Sequence, residues 1–80
     1  MAKSVVLFSQ PGCLFCNRTK EFLRAHGVAF TDRDITTDES AIAELEKLGV
    51  MTTPVTVVDG QTVVGYDLER LSELLGLPTG

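Results

Sequence analysis

The sequence has no tryptophan, one histidine and two cysteines. Near the amino terminus its longest strongly apolar run is Val5–Phe8, whereas a membrane helix needs about 20 such residues and a signal peptide about 7–15. We therefore expect no membrane segment and no export signal, and hence a cytoplasmic protein. Basic residues are outnumbered 7 to 11 by acidic ones, giving a net charge of −4. This balance argues against nucleic acid or an anionic membrane as the partner.

The shortage of cysteine and histidine also limits metal chemistry. Structural zinc is usually held by four ligands, and the chain offers Cys13, Cys16 and His26, the last about three turns along the same predicted helix. A structural disulfide between the cysteines would close a very short loop, for which the entropic gain is smallest. Both alternatives are therefore disfavoured relative to reversible thiol–disulfide exchange.

The cysteine pair, Cys13 and Cys16, follows a predicted strand and a Pro-Gly turn and opens a predicted helix. Residues i and i+3 lie on one helix face, close enough for a disulfide. Free backbone N–H groups and the positive end of the helix dipole meet at the helix start and favour a thiolate there. We predict that Cys13 is the nucleophile and that Cys16, facing the core, is the resolving thiol.

Periodicity and turn signals predict the order β-α-β-α-β-β-α in a single domain, residues 1–80, without repeats or linkers. The strands are predicted at residues 4–8, 28–35, 55–58 and 61–64, and the first helix runs from about Leu14 to His26. This order predicts an α/β fold with one mixed four-stranded sheet and helices on both faces.

Local signals set the remaining boundaries. Thr36 and Glu39 have capping-box spacing at the start of the second helix, whose buried stripe is predicted to be Ile42, Leu45 and Leu48. Asp59-Gly60 predicts a two-residue hairpin turn. Asp67 is predicted to cap the last helix. The buried face and the end of that helix are predicted at Leu68, Leu71, Leu74, Leu75, Gly76 and Pro78.

Three motifs resemble the glutaredoxin family, whose members have the thioredoxin fold. They are Cys13-Leu14-Phe15-Cys16, Thr53-Pro54 before the hairpin, and Gly65-Tyr66-Asp67 before the last helix, and the resemblance extends from residue 5 to residue 75. It implies a dithiol–disulfide oxidoreductase, with a cis proline beside the cysteines and a backbone clamp for the substrate at the residue before it. The candidate substrate-binding residues are Gln10, Phe15, Thr53, Pro54, Gly65, Tyr66 and Asp67.

Departures from the common dithiol pattern leave the electron donor open. Leu14-Phe15 stands in place of Pro-Tyr, Gln10 in place of a basic residue, and Val64-Gly65 in place of Gly-Gly. A glycine followed by an aromatic residue is closer to NrdH-redoxins, which reduce ribonucleotide reductase and are recycled by thioredoxin reductase. Yet Asp67-Leu68 stands where those proteins have Arg-Pro.

The resemblance also implies partners and cofactors. We expect no bound cofactor, with reducing equivalents from glutathione or from NADPH through thioredoxin reductase. Expected substrates are disulfide-containing proteins, with ribonucleotide reductase one candidate, and a monomer is expected. The alternative function is a metal carrier. Copper chaperones have a different element order, β-α-β-β-α-β, whereas an iron–sulfur cluster bridging two chains through Cys13 is known in the glutaredoxin family and stays open.

Overall fold

The computed structural model describes residues 4–50 and 52–77. Within them the elements are β1 (Val5–Ser9), α1 (Leu14–Ala25), β2 (Thr31–Asp34), α2 (Glu39–Leu48), β3 (Val55–Val58), β4 (Gln61–Val64) and α3 (Leu68–Leu75). The strand order is β2-β1-β3-β4, with β1 parallel to β2 and antiparallel to β3, and with β3 antiparallel to β4. The predicted element order and mixed sheet are confirmed. Pro78, predicted to help end the last helix, lies outside the described residues.

The sheet carries a hydrophobic cluster on each face, because successive side chains of a strand point to opposite sides. One cluster joins the strands to α1 and α3 and consists of Val5, Leu23, Val58, Val63 and Leu71. The other joins them to α2 and consists of Phe8, Ala41, Leu45 and Val55. The apolar run of β1 thus belongs to a strand covered on both faces, as expected for a central strand between helices.

The second strand is shorter than predicted, since β2 covers four residues rather than residues 28–35. Among the described residues it lies at the sheet edge and pairs with β1, from Val6 opposite Thr31 to Ser9 opposite Asp34. Its extent therefore follows the part of β1 with which it pairs. Val28 and Phe30, which fall within the predicted strand, pack against the core although they precede β2.

The start and buried face of α2 also differ from prediction. Its N-cap is Asp38, whose carboxylate accepts the backbone N–H groups of Ser40 and Ala41. Thr36 instead donates its hydroxyl proton to Asp34 at 2.6 Å. The buried positions are Ala41 and Leu45, whereas two residues of the predicted stripe, Ile42 and Leu48, are 38% and 41% exposed. The small alanine side chain faces the sheet, and the next residue therefore points away from it.

The second half of the chain has the turn, helix cap and buried helix face that the sequence predicted. Asp59 and Gly60 have φ values of 47° and 84° and form the predicted hairpin turn. Asp67 caps α3 by accepting the Arg70 backbone N–H at 3.1 Å. Leu71 is fully buried, and Leu68, Leu74 and Leu75 pack around it as predicted. No helix within residues 4–50 and 52–77 has the length and apolarity to span a bilayer.

Candidate active site

Cys13 lies between the end of β1 and the start of α1. The turn that precedes it uses Gly12 at φ 76°, a conformation that glycine adopts without steric cost. Cys13 is the N-cap of α1, and its Sγ accepts the backbone N–H of Cys16 at 3.2 Å. Its carbonyl accepts the N–H of Asn17 at 3.2 Å. A sulfur atom therefore takes the place that a serine or aspartate oxygen usually holds at a helix start.

Cys16 lies one turn into α1 and is fully buried. It shares the inward face of the helix with Thr19 and Leu23, in agreement with the prediction that Cys16 faces the core. Cys13 is only partly buried, and both cysteines are free thiols. The structure therefore gives a solvent-accessible sulfur on the first cysteine and a covered one on the second.

The pKa values of the two thiols shift in opposite directions. Partial burial alone would raise the pKa of Cys13, but hydrogen bonds from Cys16, from the Thr53 hydroxyl and from the Phe15 backbone outweigh burial and lower it. Burial raises the pKa of Cys16, and the neighbouring Cys13 sulfur raises it further. The first thiol to ionise is therefore Cys13, and its thiolate is stabilised by donors at the start of α1.

Thr53 and Pro54 lie beside this sulfur, immediately before β3. Their peptide bond is cis, as the family resemblance implies. Thr53 Oγ1 lies 3.8 Å from Cys13 Sγ and accepts a hydrogen bond from Gln10 Nε2 at 3.0 Å. Pro54 is buried, and its carbonyl accepts the Gly65 N–H at 2.8 Å. The backbone N–H and C=O of Thr53 have no hydrogen-bond partner among the residues that the structure describes.

Phe15 and Tyr66 bring the segment before α3 to the cysteine turn. Their ring centroids are 5.6 Å apart, and the two residues are 51% and 36% exposed. Leu14, next to the nucleophilic position, is 60% exposed. We call Leu14, Phe15 and Tyr66 the apolar rim. The Tyr66 ring thus lies against Phe15, the residue between the two cysteines that precedes Cys16.

Asp67 is less closely tied to the site. Its carboxylate is engaged at the start of α3, and no hydrogen bond among the described residues joins it to either cysteine. Arg18, the nearest basic residue by helical spacing, is exposed and has no hydrogen bond to the Cys13 sulfur within the same part of the chain. The structure therefore gathers Gln10, Thr53 and Pro54 around Cys13, places Phe15, Gly65 and Tyr66 next to them, and leaves Asp67 as a helix cap.

Sequence reasoning missed two features of the site. It assigned Thr53 a role through its backbone alone, yet the side chain contacts the sulfur. It also treated Leu14 only as part of the motif, although the residue is exposed. The helical periodicity carries the second signal, because Leu14 falls outside the face formed by Cys16, Thr19 and Leu23.

A resident metal site would need several ligands in one place. Over residues 4–50 and 52–77, no three histidine, cysteine, aspartate or glutamate side chains are grouped closely enough to hold an ion.

A mixed sheet with a Cys-x-x-Cys pair at the first helix and a cis proline beside it defines a protein of the thioredoxin fold. Within that fold, the family model for glutaredoxin matches residues 5–63. The chain belongs to the glutaredoxin family, and this membership together with the cysteine pair indicates a thiol redox function.

The chain is also similar to individual proteins in sequence and in structure. The chain is 36% identical over 73 residues to the Gene 56 protein of Mycobacterium phage L5, covering 89% of this chain and 71% of that protein. The crystal structure of the thioredoxin-like protein BC3987 matches with a TM-score of 0.86 and 34% identity, covering 90% of this chain and 100% of that one.

A third comparison concerns the fold alone. The glutaredoxin-like protein NrdH-redoxin from Escherichia coli, described as having a thioredoxin-like activity profile, matches with a TM-score of 0.83 at 18% identity, covering 96% of this chain and 99% of that one.

Proposed function

We propose that the protein is a monomeric dithiol–disulfide oxidoreductase in which Cys13 attacks the substrate and Cys16 resolves the intermediate. The observation that carries this proposal is the contrast between the two thiols. One is accessible and has a lowered pKa, and the other is buried one turn away and has a raised pKa. An accessible thiol with a low pKa is suited to attack a substrate disulfide. A buried thiol that stays protonated is suited to react later, once the mixed disulfide has formed.

The proposed reaction balances as a transfer of two electrons from the protein dithiol to the substrate. The Cys13 thiolate attacks one sulfur of a substrate disulfide, and a Cys13–substrate disulfide forms as the substrate's own S–S bond breaks. The first substrate thiolate leaves and takes up a proton. Cys16 then loses its proton and attacks the Cys13 sulfur, which forms the Cys13–Cys16 disulfide and releases the second substrate thiolate.

A protein disulfide is the substrate class that the surroundings favour. The unpaired backbone groups of Thr53 can pair with an extended segment in the manner of an added strand. The aromatic rings of the apolar rim, Phe15 and Tyr66, then supply contacts of the kind that contribute most to protein interfaces, and Leu14 adds exposed apolar surface. Ribonucleotide reductase is one candidate substrate, on the resemblance to NrdH-redoxins alone.

Thioredoxin reductase is the electron donor that we propose over glutathione. Binding the two carboxylates of glutathione requires cationic donors, but the position before the motif holds Gln10, whose amide is occupied by Thr53. Each missing charge-assisted hydrogen bond costs about 1.5–3 kcal/mol, roughly ten- to a hundredfold in affinity. The net charge of −4 also opposes an anionic tripeptide. A cytoplasmic location fits this proposal, because the oxidised protein must be reduced again by such a system.

A coupled assay tests the proposal. The purified protein is given NADPH and a protein disulfide, with thioredoxin reductase in one arm and glutathione plus glutathione reductase in the other. We expect NADPH consumption in the first arm, little in the second, and none in either arm for Cys13→Ser.

Turnover with glutathione alone would overturn the choice of donor. Turnover by neither system, together with visible absorbance and iron in the purified protein, would favour the iron–sulfur alternative instead.

A further inference from the structure

Three side chains from separate parts of the chain form a continuous hydrogen-bonded path to the reactive sulfur. Gln10 lies in the turn after β1, Thr53 lies before the cis proline, and Cys13 caps α1. Gln10 Nε2 lies 3.0 Å from Thr53 Oγ1, and Thr53 Oγ1 lies 3.8 Å from Cys13 Sγ. The second distance is within the range of a hydrogen bond to sulfur, whose atomic radius is larger than that of oxygen.

The direction of these bonds follows from the chemistry of the groups. An amide nitrogen of glutamine can only donate, so the Thr53 oxygen accepts from Gln10. A hydroxyl has one proton, and Gln10 Nε2 cannot accept it. That proton is therefore left to point at the Cys13 sulfur, where a thiolate is the strongest available acceptor.

We propose that Gln10 is a positioning residue, whose side-chain amide orients the Thr53 hydroxyl so that it donates to the Cys13 thiolate. This inference rests on the proposed role of Cys13 as the attacking thiol. It gives a purpose to the residue that replaces the basic residue common in this family. Gln10 supplies no charge, but its amide sets the direction in which the neutral Thr53 hydroxyl donates its proton.

The Thr53 hydroxyl differs from the other hydrogen-bond donors that reach the Cys13 sulfur. The other donors to Cys13 Sγ are the neighbouring Cys16 and backbone N–H groups held by α1, whose positions are set by the helix. The Thr53 hydroxyl is the donor that comes from outside α1, and its proton can rotate. Partial burial raises the pKa of Cys13, and the Thr53 hydroxyl is among the groups that lower it. Among residues 4–50 and 52–77, the one titratable group hydrogen-bonded to this sulfur is Cys16, and no carboxylate, lysine or arginine is.

The test measures the pH dependence of Cys13 alkylation by iodoacetamide in the reduced protein, with the modified site identified by mass spectrometry. Burial of Cys16 confines the early reaction to Cys13, and no enzymatic turnover is needed. We expect Gln10→Ala and Thr53→Val each to raise the apparent pKa of Cys13. Loss of one hydrogen bond should reduce the thiolate fraction below that pKa by about two- to tenfold.

Further variants separate orientation from mere packing. Gln10→Glu should raise the pKa more than Gln10→Ala, because a carboxylate accepts the Thr53 proton and adds negative charge near the sulfur. Thr53→Ser, which keeps the hydroxyl, should show the same pH dependence of Cys13 alkylation as the wild type. Thr52→Val is the matched control, since Thr52 is an exposed neighbour without a hydrogen bond to Cys13 in the described structure.

The decisive comparison is the double variant. Gln10→Ala added to Thr53→Val should cause no further change, because Gln10 acts only through the hydroxyl. An equal shift from Gln10→Ala in the presence and absence of the Thr53 hydroxyl would overturn the proposal, as would an unchanged profile for Gln10→Ala alone. Either result leaves the disulfide chemistry intact, because trapping of a mixed disulfide is measured separately.

Discussion

The pKa of Cys13 is lowered by hydrogen-bond donors rather than by a neighbouring positive charge. The Cys16 backbone N–H and the Thr53 hydroxyl both reach its sulfur, while no hydrogen bond joins it to Arg18 in the described structure. Hydrogen bonds act at contact distance, whereas the attraction of an exposed cation would be screened by salt. We therefore expect the Cys13 thiolate to persist over a range of ionic strengths.

The roles of the two cysteines are tested by single substitutions. Cys13→Ser should abolish reduction of a protein disulfide, because the attacking sulfur is gone. Cys16→Ser should instead accumulate a mixed disulfide between Cys13 and the substrate, since no second thiol can displace it. Non-reducing electrophoresis and mass spectrometry detect the adduct. Equal trapping by both variants would show that the roles are assigned wrongly.

The lowered pKa of Cys13 predicts a pH-dependent stability in the reduced protein. A group that ionises more easily when folded contributes stability that is fully present above its unfolded pKa, about 8.5 for a thiol, and that is lost as the pH falls through the folded value. The free energy of unfolding of the wild type, minus that of Cys13→Ser, should therefore increase as the pH rises towards the unfolded thiol value of about 8.5.

Urea unfolding with a phosphine reductant measures this difference at each pH. The measurement is repeated in a Cys16→Ser background, because the Cys13 sulfur raises the pKa of Cys16 and the Cys16 titration therefore differs between the two proteins. Asn17→Ser, at an exposed neighbouring position of α1, serves as the control and should show the wild-type slope. A difference that stays flat with pH would mean that the folded protein does not favour the Cys13 thiolate.

At the scale of elements, each of the three described helices begins with a side-chain cap, but the caps differ in chemistry. Cys13 caps α1 through sulfur, whereas Asp38 and Asp67 cap α2 and α3 through carboxylate oxygens. The two aspartates complete helices that support the sheet. The sulfur cap of α1 accepts a helix-start N–H group at Cys13 Sγ, so the feature that begins the helix also lowers the pKa of the thiol.

Substitutions of Asp67 can show whether its carboxylate only caps α3 or also binds a ligand. Asp67→Ala should lower the free energy of unfolding by about 0.5–2 kcal/mol, the usual cost of losing an N-cap. Asp67→Asn, which keeps a cap oxygen but removes the charge, should cost much less. Chemical denaturation measures both values, and turnover with thioredoxin reductase should be close to wild type for each. A large loss of turnover in Asp67→Asn with unchanged stability would show that the charge binds a ligand.

At the scale of the whole molecule, a small chain obtains its stability from two clusters on opposite faces of one sheet. The face that carries α1 and α3 supports the helix that holds both cysteines, through Leu23 and Leu71. The face that carries α2 packs against the other side of β1 and β3. Both strands lead directly into the site, since β1 ends before Cys13 and β3 begins after Pro54. Packing on both faces therefore fixes the distance between the sulfur and Thr53.

Leu71 and Leu48 test this description of the core. Leu71→Ala removes a fully buried side chain and should cost about 2–5 kcal/mol, a large part of the roughly 5–15 kcal/mol that stabilises a typical domain. Leu48→Ala, at a position predicted to be buried but found 41% exposed, should cost well under that amount. Thermal and urea unfolding monitored by circular dichroism measure both changes. If both substitutions lowered the free energy of unfolding by similar amounts, Leu48 would be buried as the sequence predicted.

The sequence by itself determined the element order, the position of the cysteine pair at a helix start, the hairpin turn and the cap of α3. These features depend on local causes that neighbouring residues express directly: the turn preference of Asp59-Gly60, the capping preference of Asp67, and the spacing of Cys16, Thr19 and Leu23 along one helix face. The family resemblance added the cis proline, which no local preference would have predicted.

Only the tertiary structure decided which residues meet across the chain. The length of β2 depends on its single partner β1, and the buried face of α2 depends on how closely Ala41 lets that helix approach the sheet. The donor path from Gln10 through Thr53 to Cys13 joins positions up to 43 residues apart in sequence. A hydrogen bond needs its two atoms within about 3–4 Å in a defined orientation, and that placement results from the packing of the whole sheet.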